Sequence, residues 1–234
     1  MDRSRSLLVA ALTSMLLVAV LGMPVTAATT GALTIVNGRP GEKVDVCLNG
    51  KEIRSGLPYG GRVSANFLPG DKVLKIRRAG AGTCRGTLLA TKLFPLLAGD
   101  DITLVVNRFA PKWVTFDNTG LGVIPPDGAP YTYAFFAWRH AADLGLVNVH
   151  YTQQIGPLPA ALPVWEEGDQ YAQAITLPFT SGLAVTRPDK SGVLATSPIP
   201  TFSASRRYEF YLLGTTGKNA KLIVFSRVVS QPPV

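Results

Sequence analysis

Between Val44 and Gly60 the sequence reads VDVCLNGKEIRSGLPYG, a stretch that few folds accommodate. Val44, Val46 and Leu48 alternate with Asp45 and Cys47, the period-two signature of a strand with one buried face. Asn49-Gly50 follows at once, two residues that tolerate positive φ and close a tight hairpin. Lys51-Glu52-Ile53 begins the returning strand, and Gly56-Leu57-Pro58-Tyr59-Gly60 turns the chain again. A lone hairpin is marginal in water, so the rest of the chain must add strands to it.

It does so repeatedly. Leu33-Thr34-Ile35-Val36 precedes the hairpin; Arg62 to Phe67 alternates, and Leu68-Pro69-Gly70-Asp71 turns into Lys72-Val73-Leu74-Lys75-Ile76-Arg77. Leu74 and Ile76 would face a core, Lys75 and Arg77 water. The loop AGAGTCRG is too glycine-rich to continue a strand; Thr87 to Leu93 resumes one, and Ile102 to Val106 is the most strand-like run of all. With 18 prolines, 23 glycines and no window of helical period, the expected class is all-β, built as antiparallel sandwiches of immunoglobulin-like type.

The N-terminus carries an address. Arg3 and Arg5 precede an apolar run from Leu7 to Met23, and Val25 and Ala27 fit the small-residue positions of a processing site. We read residues 1–27 as a Sec signal peptide and the rest as extracytoplasmic, periplasmic or secreted, with no later stretch of spanning length. The two cysteines, Cys47 and Cys84, are then expected to form one disulfide, as an even count in an oxidising compartment implies. Neither stands in a CxxC motif.

The second half repeats the plan of the first. Val44-Asp45-Val46 matches Val147-Asn148-Val149 at a displacement of 103, and Leu88-Leu89-Ala90-Thr91 matches Val193-Leu194-Ala195-Thr196 at 105. Ile102, Leu104 and Val106 match Tyr208, Phe210 and Leu212 at 106, and such slowly drifting offsets indicate a duplicated unit. The expected organisation is a signal peptide at 1–27, a first sandwich at 28–120, a Pro/Gly linker at 121–130, a diverged second sandwich at 131–230 and a tail at 231–234. The second copy lacks both the cysteine and the long glycine loop, as expected if Cys47 and Cys84 pair with each other.

The segments LTIVNGRPGEKVDVCLNGKEIRSGLPYG, LPGDKVLKIRRAG and LLAGDDITLVVN resemble the bacterial envelope module called domain of unknown function 4397. The resemblance spans most of residues 31–110 and, weakly, 131–229; it rests on turn chemistry and implies a fold rather than an activity. Asn37-Gly38-Arg39-Pro40 stands where that module has a His-Ala-Ser-Pro-Asp-like loop, whereas His140-Ala141-Ala142-Asp143 is closer to the pattern. Phe116-Asp117-Asn118 and the Pro-rich stretch after it look like the join of two such modules. The tandem plan is similar in architecture to the periplasmic adaptor of alginate acetylation.

Catalytic chemistry finds little support. A hydrolase built on His140 and Asp143 would need a serine elbow, and no GxSxG is present. Neither His140 nor His150 has metal-ligand spacing; Glu166-Glu167-Gly168-Asp169 lacks the oxygen ladder of a calcium loop, and Asp100 and Asp101 should point to opposite faces. No catalytic residue, metal or cofactor is expected. Binding has more to offer. Removing residues 1–27 leaves 21 basic against 14 acidic residues, and residues 28–124 hold 13 of the basic ones against 7 acidic. Lys72, Lys75, Arg77, Arg78 and Arg85 cluster near one strand, a candidate surface for an acidic polysaccharide or another envelope polyanion. Nucleic acid is a poor candidate, because an exported chain rarely meets it and no stacking motif interleaves these charges. Aromatic residues in Tyr131 to Trp138 admit a carbohydrate platform or an inter-module contact, and Phe136 and Trp138 are assigned to the contact. The expected function is a non-catalytic envelope protein, structural or adaptor, with an envelope protein or acidic polysaccharide as partner.

Overall fold

The computed structural model describes residues 30–82, 84–109, 112–119, 133–152, 164–176, 179–189, 192–198 and 200–228. The signal peptide, the 121–130 linker and the 231–234 tail lie outside them. The first eight strands are β1 (Gly31–Gly38), β2 (Val44–Leu48), β3 (Lys51–Leu57), β4 (Arg62–Phe67), β5 (Gly70–Arg78), β6 (Leu88–Leu96), β7 (Asp101–Asn107) and β8 (Trp113–Asp117). They form two sheets, β4-β1-β7-β8 and β3-β2-β5-β6. The next eight are β9 (Tyr133–His140), β10 (Val147–Tyr151), β11 (Val164–Trp165), β12 (Gln170–Thr176), β13 (Leu183–Thr186), β14 (Val193–Thr196), β15 (Arg206–Leu213) and β16 (Lys221–Val228). Their sheets are β12-β9-β15-β16 and β11-β10-β13-β14. Adding eight to each strand number of the first pair of sheets gives the second. The fold is two tandem β-sandwiches of one topology.

Register confirms the kinship of the copies in detail. Val46 pairs with Ile76, which pairs with Ala90, and Val149 likewise pairs with Val185 and that with Ala195. Both chains of pairs then shift register at the same place, after Ile76 and after Val185. A bulge retained at an equivalent site is a built feature. One pairing in each copy departs from the antiparallel expectation: β1 runs parallel to β7, and β9 parallel to β15. A parallel pair needs a long crossover, and here the intervening strands supply it by way of the other sheet.

The hairpin at Asn49-Gly50 forms as its residues dictate, with φ of 49° and 81°. Leu33, Ile35, Val46, Leu74, Ile76 and Leu104 fill the first core. Phe136, Trp138, Val149, Val185, Phe210 and Leu212 fill the second. Cys47 and Cys84 are bonded, which staples the β5–β6 loop to the outer face of β2. Gly86 lets that loop close, since a Cβ there would collide with the Arg78 carbonyl oxygen.

Candidate functional site

Several strands are buried on both faces. In β1, β7 and β15 nearly every residue is buried, although a single sandwich covers only one face of a sheet. The second cover is the other module. Val36, Val105, Val114 and Phe116 of the first module pack with Ala141, Tyr211, Leu213 and Ile223 of the second. Equivalent sheets thus face each other, as in an isologous dimer. Asp101 and Arg207 occupy equivalent positions of β7 and β15 and pair directly, Nη2 to Oδ2 at 2.7 Å.

Polar groups within this join are tied together. Arg227 Nη2 reaches the same Asp101 oxygen at 2.9 Å. Glu209, 1% exposed, accepts from Arg207 Nε at 2.6 Å, from Arg227 Nε at 3.0 Å and Nη2 at 2.9 Å, and from the Tyr211 hydroxyl at 2.8 Å. Burial, and then the Glu209 charge, push the Tyr211 phenol far above its ordinary pKa, so it stays a donor. Arg139 donates to Asn118 Oδ1 at 2.6 Å and lies over the Phe116 ring, while Asn118 donates to Thr103 Oγ1 at 2.9 Å. At the rim Tyr59 donates to the Asn219 carbonyl, and Arg62 lies 4.3 Å from the centre of the Phe225 ring.

This corrects the assignment of Phe136 and Trp138 to the inter-module contact. Both lie in the core of the second sandwich, and so do not form a carbohydrate platform. The opposite parity of the same strand, with Arg139 and the following Ala141, meets the first module. Apolar residues occur at both parities of YAFFAWRH, so alternation could not say which face was which. The join residues Asp101, Arg139, Arg207, Glu209 and Arg227 were missed. Their signal was charge within strands otherwise too apolar to carry a wet face, above all RRYEFYLL.

His140 occupies the β9 position equivalent to Asn37 of β1, and the two side chains do the same work. Asn37 accepts from the Arg39 N–H and donates to the Glu42 carbonyl; His140 accepts from the Ala142 N–H and bonds the Gly145 carbonyl. Both therefore bond residues two and five further on. Burial pushes the His140 pKa down, against the pull of the Gly145 carbonyl and Asp169, and both ring nitrogens are engaged. Asp143 lines an open cleft of about 650 Å³ with Leu144, Arg187, Leu194, Thr215 and Gly217, whereas the His140 ring nitrogens bond Ala142 and Gly145. We expect His140→Asn to keep most of the stability that His140→Ala loses, about 1–3 kcal/mol for a buried partner left unsatisfied. Urea midpoints of the two variants check this; equal losses would refute the shared role.

Glu167 stands where the β11–β12 turn meets the first module and accepts from Asn107 Nδ2 at 3.0 Å. Burial and then Asp143 push its pKa from 4.5 up to about 7, partly offset by the Asn107 bond. The native chain therefore binds this proton more tightly than the unfolded chain, so stability falls as pH rises from about 4.5 through about 7. Glu167→Gln should flatten that slope in urea midpoints measured across the interval; an unchanged slope would contradict the assignment.

The basic residues do not form one patch. Lys75 and Arg77 share the outward face of β5, with Arg77 Nη1 donating to the Gly86 carbonyl at 2.6 Å. Arg78 and Arg85 are exposed. Lys72 has the parity of Leu74 and Ile76 and points between the sheets, 7% exposed. His150 bonds Thr186 Oγ1 at 3.1 Å. Asp100 caps its own turn through the Leu97 N–H while Asp101 serves the join, so the two carboxylates act apart. Among the described residues no group of three or more His, Cys, Asp or Glu could hold a metal ion, and no helix is long and apolar enough to cross a membrane.

No family model matches the chain, and no curated protein matches it either. Solved structures that resemble it include a family 26 carbohydrate-binding module of Eubacterium rectale Amy13K in complex with maltoheptaose, at 10% identity and a TM-score of 0.27 over 85% of this chain and 97% of that one. A putative cell adhesion protein of Bacteroides ovatus matches at 11% identity and 0.27, over 87% and 99%. One of Bacteroides uniformis matches at 11% and 0.26, over 86% and 100%. Likeness this distant carries nothing over to the ligands or partners of this chain.

Proposed function

We propose that this chain is a non-catalytic, exported envelope module, a structural or adaptor piece in which two sandwiches act as one rigid body. The observation that carries the reading is the join, where apolar side chains and partly buried ion pairs fix one sandwich on the other. Such a join suits a protein that holds two surfaces at a set separation, and the disulfide suits an oxidising compartment. Kinship with domain of unknown function 4397 belongs to the same proposal, supported by the shared loop role of Asn37 and His140. The test is cell fractionation with thiol alkylation, followed by cross-linking of the intact chain in cells. Blocked thiols in an extracytoplasmic fraction, with a cross-linked envelope component lost when the join is opened by Asp101→Ala and Arg207→Ala together, support the proposal. Free thiols in the cytosol overturn it.

A second reading has one observation in its favour. Lys75 and Arg78 on β5, and Arg85 in the β5–β6 loop, lie with the sheet remote from the join, where a polyanion could reach them. Salt-sensitive retention on acidic but not neutral polysaccharide, abolished by replacing Lys75, Arg77 and Arg78 with serine, would favour it; equal failure on both would discard it.

A further inference from the structure

The two copies differ at the end where β9 runs into β10. In the first copy the charges of the equivalent β1–β2 loop satisfy one another: Arg39 Nε meets Glu42 Oε2 at 2.8 Å, and Arg39 Nη1 donates to the Asn107 carbonyl at 2.9 Å. That loop is also tied to the β5–β6 loop, the Ala79 N–H donating to the Lys43 carbonyl at 3.1 Å. By the pairing of Val46 with Ile76 and of Val149 with Val185, Ala79 and Lys43 correspond to Pro188 and Leu146. Proline has no N–H to donate, so the second copy cannot make that tie. There the β9–β10 loop, the β13–β14 turn and the β15–β16 loop surround the open cleft of about 650 Å³.

Asp143 and Arg187 line this cleft from two different connections, and both are exposed. Among the described residues no ion pair or side-chain hydrogen bond engages either charge, so the two do not meet each other. Opposite charges that share a cleft without pairing are spaced for a ligand that carries one of each. The loop bearing Asp143 is fixed, since the His140 ring bonds the Ala142 N–H and the Gly145 carbonyl on either side of it. Burial and then Asp143 push the Glu167 carboxyl up to about 7, and a cationic group beside Asp143 would relieve that repulsion. Leu144, Leu146 and Leu194 supply apolar lining, the first and last packed against the second core. Asp189 lines the cleft too and has a partner of its own. No aromatic ring is among the lining residues, so a pyranose has no platform on which to stack.

We propose that this cleft binds a short peptide, its ammonium pairing with Asp143, its carboxylate with Arg187 and its aliphatic side chains lying on Leu144, Leu146 and Leu194. The volume falls in the range of about 300–1,000 Å³ usual for small-ligand sites, room for a few residues rather than a folded partner. The site is independent of the adaptor reading, of the join and of the outer basic face.

The probe is unblocked alanyl-leucyl-alanine, titrated calorimetrically into residues 28–234. The expected result is saturable one-to-one binding, weakened about tenfold by N-acetylating the peptide and about tenfold by amidating its C-terminus. Asp143→Asn should weaken binding and remove the sensitivity to N-acetylation alone; Arg187→Gln should weaken it and remove the sensitivity to amidation alone. Both positions are exposed, so neither variant threatens folding. Arg78→Gln, at the first-copy equivalent of Arg187, should change nothing. No saturable binding of the free peptide, or variants that keep both sensitivities, overturns the proposal. Binding of maltotriose that depends on Asp143, with none of the peptide, overturns the peptide occupant in favour of a neutral sugar.

Discussion

Glu209→Ala is expected to lower stability by about 3–5 kcal/mol, the cost of removing one partner from a buried ionic cluster. The carboxylate is 1% exposed and accepts from Arg207, Arg227 and Tyr211. Its loss leaves the Tyr211 phenol with the longer bond to Thr103 Oγ1 at 3.3 Å and takes a carboxylate from two guanidinium groups that also pair with Asp101. The deletion is worse than the cluster's own worth, because the cations stay buried while their partner goes. Glu209→Gln, which keeps the volume and one acceptor oxygen, should lose less. Urea midpoints give both numbers, and a Glu209→Ala loss under about 1 kcal/mol, the scale of an exposed pair, would mean the cluster is wet.

Opening the disulfide comes next in size. Cys47 and Cys84 are 37 residues apart, and on the chain-entropy account closing a loop of that length contributes roughly 3–4 kcal/mol. The cost has a local side as well. The β5–β6 loop rests on β2 through this bond and on Arg77 through the Gly86 carbonyl, so the reduced chain should present it to proteases first. Replacing both cysteines by alanine should lower the unfolding free energy in urea titrations by that amount and move the earliest tryptic cut to Arg78 or Arg85. A double variant as stable as wild type would show that the unfolded chain is already compact enough to gain nothing from the tie.

How much of this was legible in the sequence depends on whether a residue's neighbours are local. Asn49-Gly50 specified its hairpin through two left-handed residues, a property the chain carries wherever it is placed. The duplication was legible too, because the offsets of 103, 105 and 106 mark equivalent register positions in the two copies. Phe136 and Trp138 failed for a definite reason. Alternation locates one buried face, and β9 has two, so choosing the wrong parity moved every side chain to the opposite side. The join was hidden because Asp101 and Arg207 meet across 106 residues of chain. Lys72 was the reverse case. Its parity with Leu74 and Ile76 placed it inside, but its charge argued for water and prevailed in the reading.

The join makes one claim above the rest, that two sandwiches with separate cores behave as one body. Calorimetry of residues 28–234 tests it directly. A single transition with calorimetric and van't Hoff enthalpies equal, splitting into two when Asp101→Ala and Arg207→Ala are combined, is the predicted result. Two separate transitions in the wild-type chain would contradict it.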